Sequence, residues 1–145
     1  MCDRLIVALD FPSMEVAMAL VDQLQGICRW FKVGMELYYS AGNAVVERLR
    51  ERGCEVFLDL KLHDIPNTVA GAVRTVAGTG ASLLTIHAGG GERMMRAAAE
   101  AAGAPGAPRL LAVTVLTSMD PAELAAVGVS DAPASWKTIC GRAPR

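Results

Sequence analysis

The most restrictive feature of this sequence is a regular alternation of short aliphatic runs with longer segments of helical period. Aliphatic or β-branched residues dominate each run, and Ala, Leu or charged residues dominate each segment that follows. Such alternation is typical of successive strand and helix units, which form a parallel sheet covered by helices. The predicted strands are residues 5–9, 30–33, 55–60, 82–86 and 110–116, and the predicted helices are residues 13–24, 44–52, 68–77, 92–102 and 121–126. We therefore expect an α/β fold without a second domain.

A polar side chain stands at the carboxyl end of every predicted strand. In chain order these are Asp10, Lys32, Asp59 with Lys61, His87, and Thr117 with Ser118. A (β/α)8 barrel assembles its active site from the carboxyl ends of several strands, so these side chains would meet in one pocket. A doubly wound open sheet also binds ligands at strand carboxyl ends, but it concentrates them at one crevice. Polar ends on consecutive strands favour the barrel.

Charge and hydropathy limit the partners of the chain. The net charge is -1, from 14 basic and 15 acidic residues mixed along the sequence, so no basic patch predicts nucleic-acid binding. No apolar stretch reaches membrane-spanning length without a charge, and the short run between Arg4 and Asp10 does not have the layout of a signal peptide. We expect a cytoplasmic protein that binds a small molecule or a second copy of itself.

The cysteines predict neither a metal site nor a disulfide. Cys2, Cys28, Cys54 and Cys140 lie far apart, without the close pairs of zinc ribbons or redox motifs. The chain has only 2 histidines to complete a ligand set. We interpret the cysteines as small, mostly buried thiols, and we expect no metal bound to them.

The third predicted strand has a two-residue hydrophobic period, with one wholly aliphatic face. Val56, Leu58, Leu60 and Leu62 form that face, whereas Phe57, Asp59 and Lys61 form the other. If the aliphatic face packs under helices, the two charged side chains point together into the barrel mouth.

Three charges, Asp59, Lys61 and Asp64, occur within six residues after this apolar strand. A buried lone charge costs several kcal/mol, so the three should be paired, with Lys32 from the neighbouring strand end as the fourth member. The plainer alternatives are a routine ion pair between Asp59 and Lys61, and a helix cap at Asp64 ahead of Pro66.

Several segments together resemble the orotidine 5′-phosphate decarboxylase family in order and approximate spacing. They are Leu9-Asp10, Phe31-Lys32-Val33-Gly34, residues 59–68 (DLKLHDIPNT), Thr85-Ile86-His87-Ala88 and Val115-Leu116-Thr117-Ser118. The resemblance covers roughly residues 3–134. The Asp-x-Lys-x-x-Asp core is shared with a related barrel group of sugar-phosphate decarboxylases and synthases, and the string through residue 68 is more specific.

The resemblance implies a (β/α)8 TIM barrel that converts orotidine 5′-phosphate to uridine 5′-phosphate, the last step of de novo UMP synthesis, without a cofactor. It implies that Lys61 protonates C6 of the pyrimidine, that Asp59 crowds the departing carboxylate, and that Lys32 holds Asp59 and the ribose hydroxyls. It also implies a homodimer with shared sites. The remaining implied contacts are Asp10 with ribose, Thr117 or Ser118 with the pyrimidine edge, and Asp64, Ile65 and Thr68 with the active site of a second copy.

A complete barrel of this kind takes ~250 residues, whereas this sequence provides about five strands. We therefore expect residues 1–134 to form the N-terminal portion of a barrel truncated after about strand five, with an atypical tail at residues 135–145 and impaired activity. Two alternatives stay open. One is a related sugar-phosphate enzyme, in which a magnesium-binding glutamate would replace Lys32, and the other is a non-catalytic fragment.

Two further features have competing interpretations. His87 is either a structural hydrogen-bonding residue or a catalytic one. Gly89, Gly90 and Gly91 either form a permissive turn, which we favour, or bind phosphate through backbone amides. Met94 and Met95 are predicted to fill the core.

Overall fold

The computed structural model of the chain describes residues 2–129, and describes side chains from Arg4 onward. It divides into two compact units, Met1–Ala112 and Val113–Arg145. The predicted tail at residues 135–145 therefore lies outside the described residues. Within residues 2–129, no helix is both long and apolar enough to cross a membrane.

A five-stranded sheet with the strand order β1-β2-β3-β4-β5 organises the molecule. The strands are β1 (Cys2–Ala8), β2 (Cys28–Gly34), β3 (Glu55–Leu62), β4 (Leu83–His87) and β5 (Arg109–Val113). The pairs β1/β2, β2/β3 and β3/β4 are parallel. Each strand lies beside the one before it in sequence, which is the order of a barrel and not that of a doubly wound sheet. The predictions of an α/β fold and of barrel order are confirmed.

Helices connect successive strands on the first unit. They are α1 (Met14–Gln23), α2 (Met35–Ala41), α3 (Ala44–Glu51), α4 (Pro66–Ala77) and α5 (Gly91–Ala101), with a single 3-10 turn at Ala88–Gly90 before α5. Helix α2 was not predicted. It has seven residues and buries only Leu37, so it is too short to establish a helical hydrophobic period.

The core lies between the sheet and these helices. Buried positions recur three or four residues apart on α3 and α4, as expected for helices with one apolar face. Phe31, Leu58 and Met94 are each 0% exposed, and the predicted core role of Met94 is confirmed. Cys28 and Cys54 are buried free thiols, as predicted, whereas the side chains of Cys2 and Cys140 are outside the described set.

The second unit contains one described helix, α6 (Pro121–Ala126). It begins with a capping box, in which Asp120 accepts hydrogen bonds from the backbone N–H groups of Ala122 and Glu123 while the Glu123 carboxylate accepts from Asp120. Thr117 and Ser118 lie in an exposed turn before it. Strand β5 ends at Val113, three residues earlier than predicted, and has five residues, as does its neighbour β4.

The three consecutive glycines after β4 have two different structural reasons. Gly91 has a φ of 79°, a left-handed conformation that favours glycine. At Gly90, by contrast, an added Cβ would overlap the Met94 sulfur and lie 2.6 Å from its methyl carbon. The turn interpretation holds for Gly91, whereas Gly90 is required by close packing.

Gly90→Ala is expected to destabilise the first unit by about 1 to 3 kcal/mol, because the fully buried Met94 would have to move within a packed core. Gly71→Ala is the matched control. Gly71 lies inside α4, where a Cβ would meet only the Arg74 guanidinium at 3.9 Å, so alanine should stabilise the helix by roughly 0.5 to 1 kcal/mol. Urea unfolding followed by circular dichroism measures both. Equal effects of the two substitutions would contradict the packing argument.

Candidate active site

The carboxyl end of β3 departs from a regular strand. Leu58 pairs with Leu84 and Leu62 pairs with Ile86, so four steps along β3 correspond to two along β4. The excess residues form a bulge that contains Asp59, Leu60 and Lys61. Lys61 has a φ of 50° and is the one described non-glycine residue with a positive φ. Strain of this kind is common at functional sites.

Four charged side chains form a continuous array at the carboxyl ends of β1, β2 and β3. The Lys32 ammonium lies 3.0 Å from Oδ1 of Asp10 and 3.7 Å from Oδ2 of Asp59. The Lys61 ammonium lies 2.8 Å from Oδ1 of Asp59. Carboxylates and ammonium groups thus alternate through three strands, and each ammonium lies beside a carboxylate that offsets the cost of its partial burial.

Glycine at position 34 leaves room for this array. A Cβ there would lie 3.2 Å from Oδ1 of Asp10 and 3.7 Å from the Lys32 ammonium. The first distance is tighter than ordinary van der Waals contact, so a larger side chain would displace the Asp10 carboxylate. The end of β2 therefore contributes both a cation and the space beside it.

Asp59 lies at the centre of the array and its side chain is only 16% exposed. Burial alone would raise the pKa of Asp59, but hydrogen bonds from Lys61 and Thr85, with the charges of Lys61 and Lys32, hold the pKa below its usual value. The Thr85 hydroxyl donates to Oδ1 of Asp59 at 3.0 Å and accepts from the backbone N–H of Lys61 at 2.8 Å. Asp59 is therefore held as a carboxylate.

The lowered pKa of Asp59 makes its contribution to stability depend on pH. A carboxyl group whose pKa is lowered by folding stabilises the protein above the pKa of the unfolded chain, about 3.9, and loses that contribution as the pH falls through the folded pKa. The unfolding free energy of the parent should fall as the pH is lowered from about 6 to about 3, and we expect it to fall less in Asp59→Asn. Glu92→Gln on exposed α5 is the control for removing one carboxylate. The expectation would be contradicted if the urea concentration at half-unfolding changed with pH equally in Asp59→Asn and in the parent.

The loop after β3 and the first turn of α4 carry the residues expected to reach a second copy. Asp64, Ile65 and Thr68 are exposed, and Ile65 is 67% exposed. Asp64 forms no salt bridge with another described residue, and its carboxylate accepts the Ile65 N–H at 2.6 Å. The N-cap of α4 is Ile65, without a side-chain cap hydrogen bond, and Pro66 is its first residue. Asp64 is therefore not the cap of this helix, and it does not join the array within its own chain.

Two open clefts border this loop. One, of about 290 Å³, is lined by residues of β3, α2 and α4, including Lys61 and Thr68. The other, of about 520 Å³, lies between the loop and the glycine turn. The rings of His63 and His87 stack there at 5.0 Å, and Nδ1 of His87 accepts the Gly89 N–H at 3.0 Å. His87 thus has the structural role that was one of its two interpretations.

A second charged cluster lies at the opposite, amino end of the sheet. Glu55 accepts from Arg29 at 2.9 Å and from Arg50 at 3.1 Å, and also contacts the Ser82 hydroxyl. Polar groups at the amino ends of barrel strands usually serve stability rather than chemistry. The Asp59 array is distinguished from this cluster by its position, its bulge and its strained lysine.

Sequence reasoning placed Lys32, Asp59 and Lys61 in the array and Asp10 at the same end of the sheet, but it missed Thr85. Thr85 is 3% exposed and is the one polar side chain among the fully buried described residues. The available signal was a hydroxyl within the otherwise apolar run of β4. Among the described residues, no group of three or more His, Cys, Asp or Glu side chains is arranged to hold a metal ion.

A sequential parallel sheet with a charged array at its strand carboxyl ends defines a protein of the (β/α)-barrel class. The chain belongs to the orotidine 5′-phosphate decarboxylase / HUMPS family, whose sequence model matches residues 3–137. It is 56% identical over 132 residues to an orotidine 5′-phosphate decarboxylase from Halorhodospira halophila, covering 90% of this chain and 56% of the relative. It is 49% identical over 155 residues to one from Nitratidesulfovibrio vulgaris, covering 96% and 62%.

Solved structures support the same fold. An orotidine 5′-phosphate decarboxylase from Lactobacillus acidophilus matches with a TM-score of 0.80 and 36% identity, covering 94% of this chain and 63% of that chain. An uncharacterized conserved protein from Geobacillus kaustophilus matches with a TM-score of 0.82 and 45% identity, covering 94% and 65%. The chain thus has the fold of part of these proteins. It spans 56% to 62% of the length of the two curated relatives above.

Proposed function

We propose that this chain carries the Lys/Asp part of an active site that decarboxylates orotidine 5′-phosphate to uridine 5′-phosphate, the last step of de novo UMP synthesis. The main support is the pairing of Lys61 with Asp59 at 2.8 Å on a bulge at the carboxyl end of β3. The names of the relatives and the family match support the same substrate.

The chemistry requires a positioned cation and no electron sink. Loss of carbon dioxide leaves a carbanion at C6 of the pyrimidine, and no neighbouring carbonyl can delocalise it. The Lys61 ammonium would stabilise the developing negative charge and then donate its proton to C6. The Asp59 carboxylate would lie beside the carboxylate of the substrate, and repulsion between them would be relieved as carbon dioxide leaves.

The other array members would bind the sugar. Lys32 would hold Asp59 and the ribose hydroxyls, and Asp10, which is exposed and already paired with Lys32, would bind ribose. Thr117 or Ser118 would contact the pyrimidine edge. Asp64 and Ile65, exposed on the loop after β3, and Thr68, exposed in the first turn of α4, would reach the active site of a second copy, so we propose a homodimer with shared sites. We also propose a cytoplasmic location.

Phosphate binding is expected from elsewhere in the barrel. Barrel enzymes bind phosphoryl groups with loops after strands seven and eight, whereas the described residues contain five strands. Remote binding energy from the phosphoryl group would offset the approach of two carboxylates. We therefore propose that the 145-residue chain alone has weak activity.

The position of Lys32 favours this activity over that of a related sugar-phosphate decarboxylase or synthase. Its ammonium lies between the carboxylates of Asp10 and Asp59, at the place where the resemblance implies a magnesium-binding glutamate in the related group. A cation already fills the space between the two carboxylates. Turnover that disappears with a chelator and returns with magnesium would favour the related group.

The test uses residues 1–129 joined to the corresponding C-terminal part of the Halorhodospira halophila relative, here named the completed chain. Uridine 5′-phosphate formed from orotidine 5′-phosphate is quantified by liquid chromatography with and without a chelator. We expect turnover that is insensitive to the chelator, and much weaker turnover by the 145-residue chain. A folded completed chain that converts a sugar phosphate, but not orotidine 5′-phosphate, would contradict the proposal.

A further inference from the structure

We propose that Thr85 is a positioning residue, whose hydroxyl fixes the Asp59 carboxylate against Lys61 and holds the bulge that carries both. The effect on turnover rests on the proposed function, whereas the effect on Asp59 itself does not. Thr85 lies on β4, the strand opposite the bulge, between the paired residues Leu84 and Ile86.

The backbone of the bulge needs a hydrogen-bond acceptor at Lys61. At Lys61 the chain turns to a φ of 50°, and the regular ladder between β3 and β4 is interrupted. A buried N–H without a partner costs free energy comparable to a lost hydrogen bond. The Lys61 N–H donates to Oγ1 of Thr85 at 2.8 Å, so a side-chain oxygen takes the place that a backbone carbonyl has in a regular ladder. Thr85 therefore satisfies the backbone at its strained residue.

The hydrogen bond from Lys61 also sets the direction of the Thr85 hydroxyl proton. Since Oγ1 of Thr85 accepts from the Lys61 N–H, its own proton is free to point at Oδ1 of Asp59, 3.0 Å away. The same oxygen of Asp59 accepts from the Lys61 ammonium at 2.8 Å. Two donors from different strands thus fix the rotation of the carboxylate, which leaves Oδ2 facing Lys32 at 3.7 Å.

Burial of the Thr85 side chain supports the same role. Thr85 is 3% exposed, so water has little access to replace its hydroxyl. A buried hydroxyl is unfavourable without hydrogen bonds, and valine has nearly the same shape without that cost. If packing alone decided this position, an apolar residue like its neighbours Leu84 and Ile86 would serve as well. The two hydrogen bonds to the bulge account for threonine here.

The variants are Thr85→Val, which keeps the shape and removes the hydroxyl, and Thr85→Ser, which keeps the hydroxyl. The Asp59 carboxyl carbon is followed by NMR during a pH titration of the 145-residue chain and of the completed chain. The charged groups facing Asp59 are Lys61 from β3 and Lys32 from β2, with Asp10 beyond Lys32, and all remain in both variants. From β4 the hydroxyl of Thr85 reaches Asp59.

We expect the Asp59 titration midpoint to shift upward in Thr85→Val, since a donor to the carboxylate is lost, and to stay near the parent value in Thr85→Ser. The Lys61 amide should exchange faster with solvent in Thr85→Val alone. In the completed chain, kcat should fall roughly tenfold to a hundredfold in Thr85→Val with KM nearly unchanged, because misplacement of the pair affects the chemical step.

An unchanged Asp59 midpoint in folded Thr85→Val would overturn the proposal, as would equal losses in Thr85→Val and Thr85→Ser. If Thr85→Val does not fold, the same pH titration of the parent protein is the test. The chemical shift of the Lys61 amide must then change with the same midpoint as that of the Asp59 carboxyl carbon. Independent changes of the two signals would overturn the proposal. Failure of the proposed function would be recognised separately, as absence of turnover in the parent with the NMR results intact.

Discussion

Lys61→Ala in the completed chain is expected to lower kcat for orotidine 5′-phosphate by about a thousandfold or more, while substrate binding stays measurable. The ammonium acts where charge develops in the transition state, so its loss affects turnover more than binding. The array also loses the cation 2.8 Å from Asp59, which leaves that carboxylate with Lys32 as its neighbouring cation at 3.7 Å. Single-turnover kinetics and equilibrium binding of uridine 5′-phosphate separate the two effects.

Arg96→Ala is a suitable control, because it also removes a cation. The Arg96 side chain is 74% exposed on α5, where it pairs with Glu92 one helical turn away. Exposed pairs of this kind contribute little to stability, so activity and folding should stay near parent values. Near-normal turnover in Lys61→Ala would refute the assigned chemistry, whatever the behaviour of the control.

The sequence allowed the sheet to be predicted because its signals are local and repeated. Each strand is an aliphatic run and each main helix has a hydrophobic period. Both patterns can be recognised in the sequence without knowledge of the tertiary structure. Helix α2 escaped because seven residues with one buried side chain carry no measurable period. The end of β5 escaped because Val115 and Leu116 continue the aliphatic composition beyond Val113, the last residue of the strand.

The predicted pairing of Asp59 with Lys61 is observed, but for a reason that differs from the argument used. Two-residue alternation along β3 was expected to bring Asp59 and Lys61 to one face, and the two side chains are indeed paired. However, the bulge and the positive φ of Lys61 interrupt the regular strand at that point. Bulges depend on the neighbouring strand, so the sequence of β3 alone does not reveal them. The same limit concealed Thr85, whose partners lie 24 and 26 residues away.

The composition of the array shows a further limit. Asp64 was expected to belong to the array together with Asp59, Lys61 and Lys32, and Asp10 was not. Within one chain that place is taken by Asp10, at 3.0 Å from Lys32, whereas Asp64 stands on the loop with its carboxylate bonded to the Ile65 N–H. The resemblance nevertheless assigns Asp64 to the site of a second copy. Both statements are compatible only if the sites are shared between subunits, which can be tested directly.

Mixing completed chains that carry Lys61→Ala with others that carry Asp64→Ala is expected to restore activity that neither variant has alone. If each site takes Lys61 from one chain and Asp64 from the other, a mixed dimer contains one doubly damaged site and one intact site. Random exchange of equal amounts makes about half of the dimers mixed, so about a quarter of the parent activity should return. The effect is large, because both starting proteins should be nearly inactive.

The design depends on showing that mixed dimers form. Two different affinity tags, one on each variant, allow mixed dimers to be purified and counted before the assay, and they should have about half the activity of the parent. Mixing Lys61→Ala with Lys32→Ala is the matched control. Both lysines belong to the array within one chain, so one site of each mixed dimer lacks Lys61 and the other lacks Lys32, and the dimer stays inactive. Purified mixed dimers of Lys61→Ala and Asp64→Ala without activity would mean that Asp64 acts within its own chain. Its exposed position on the loop after β3, apart from the array, makes recovery the expected result.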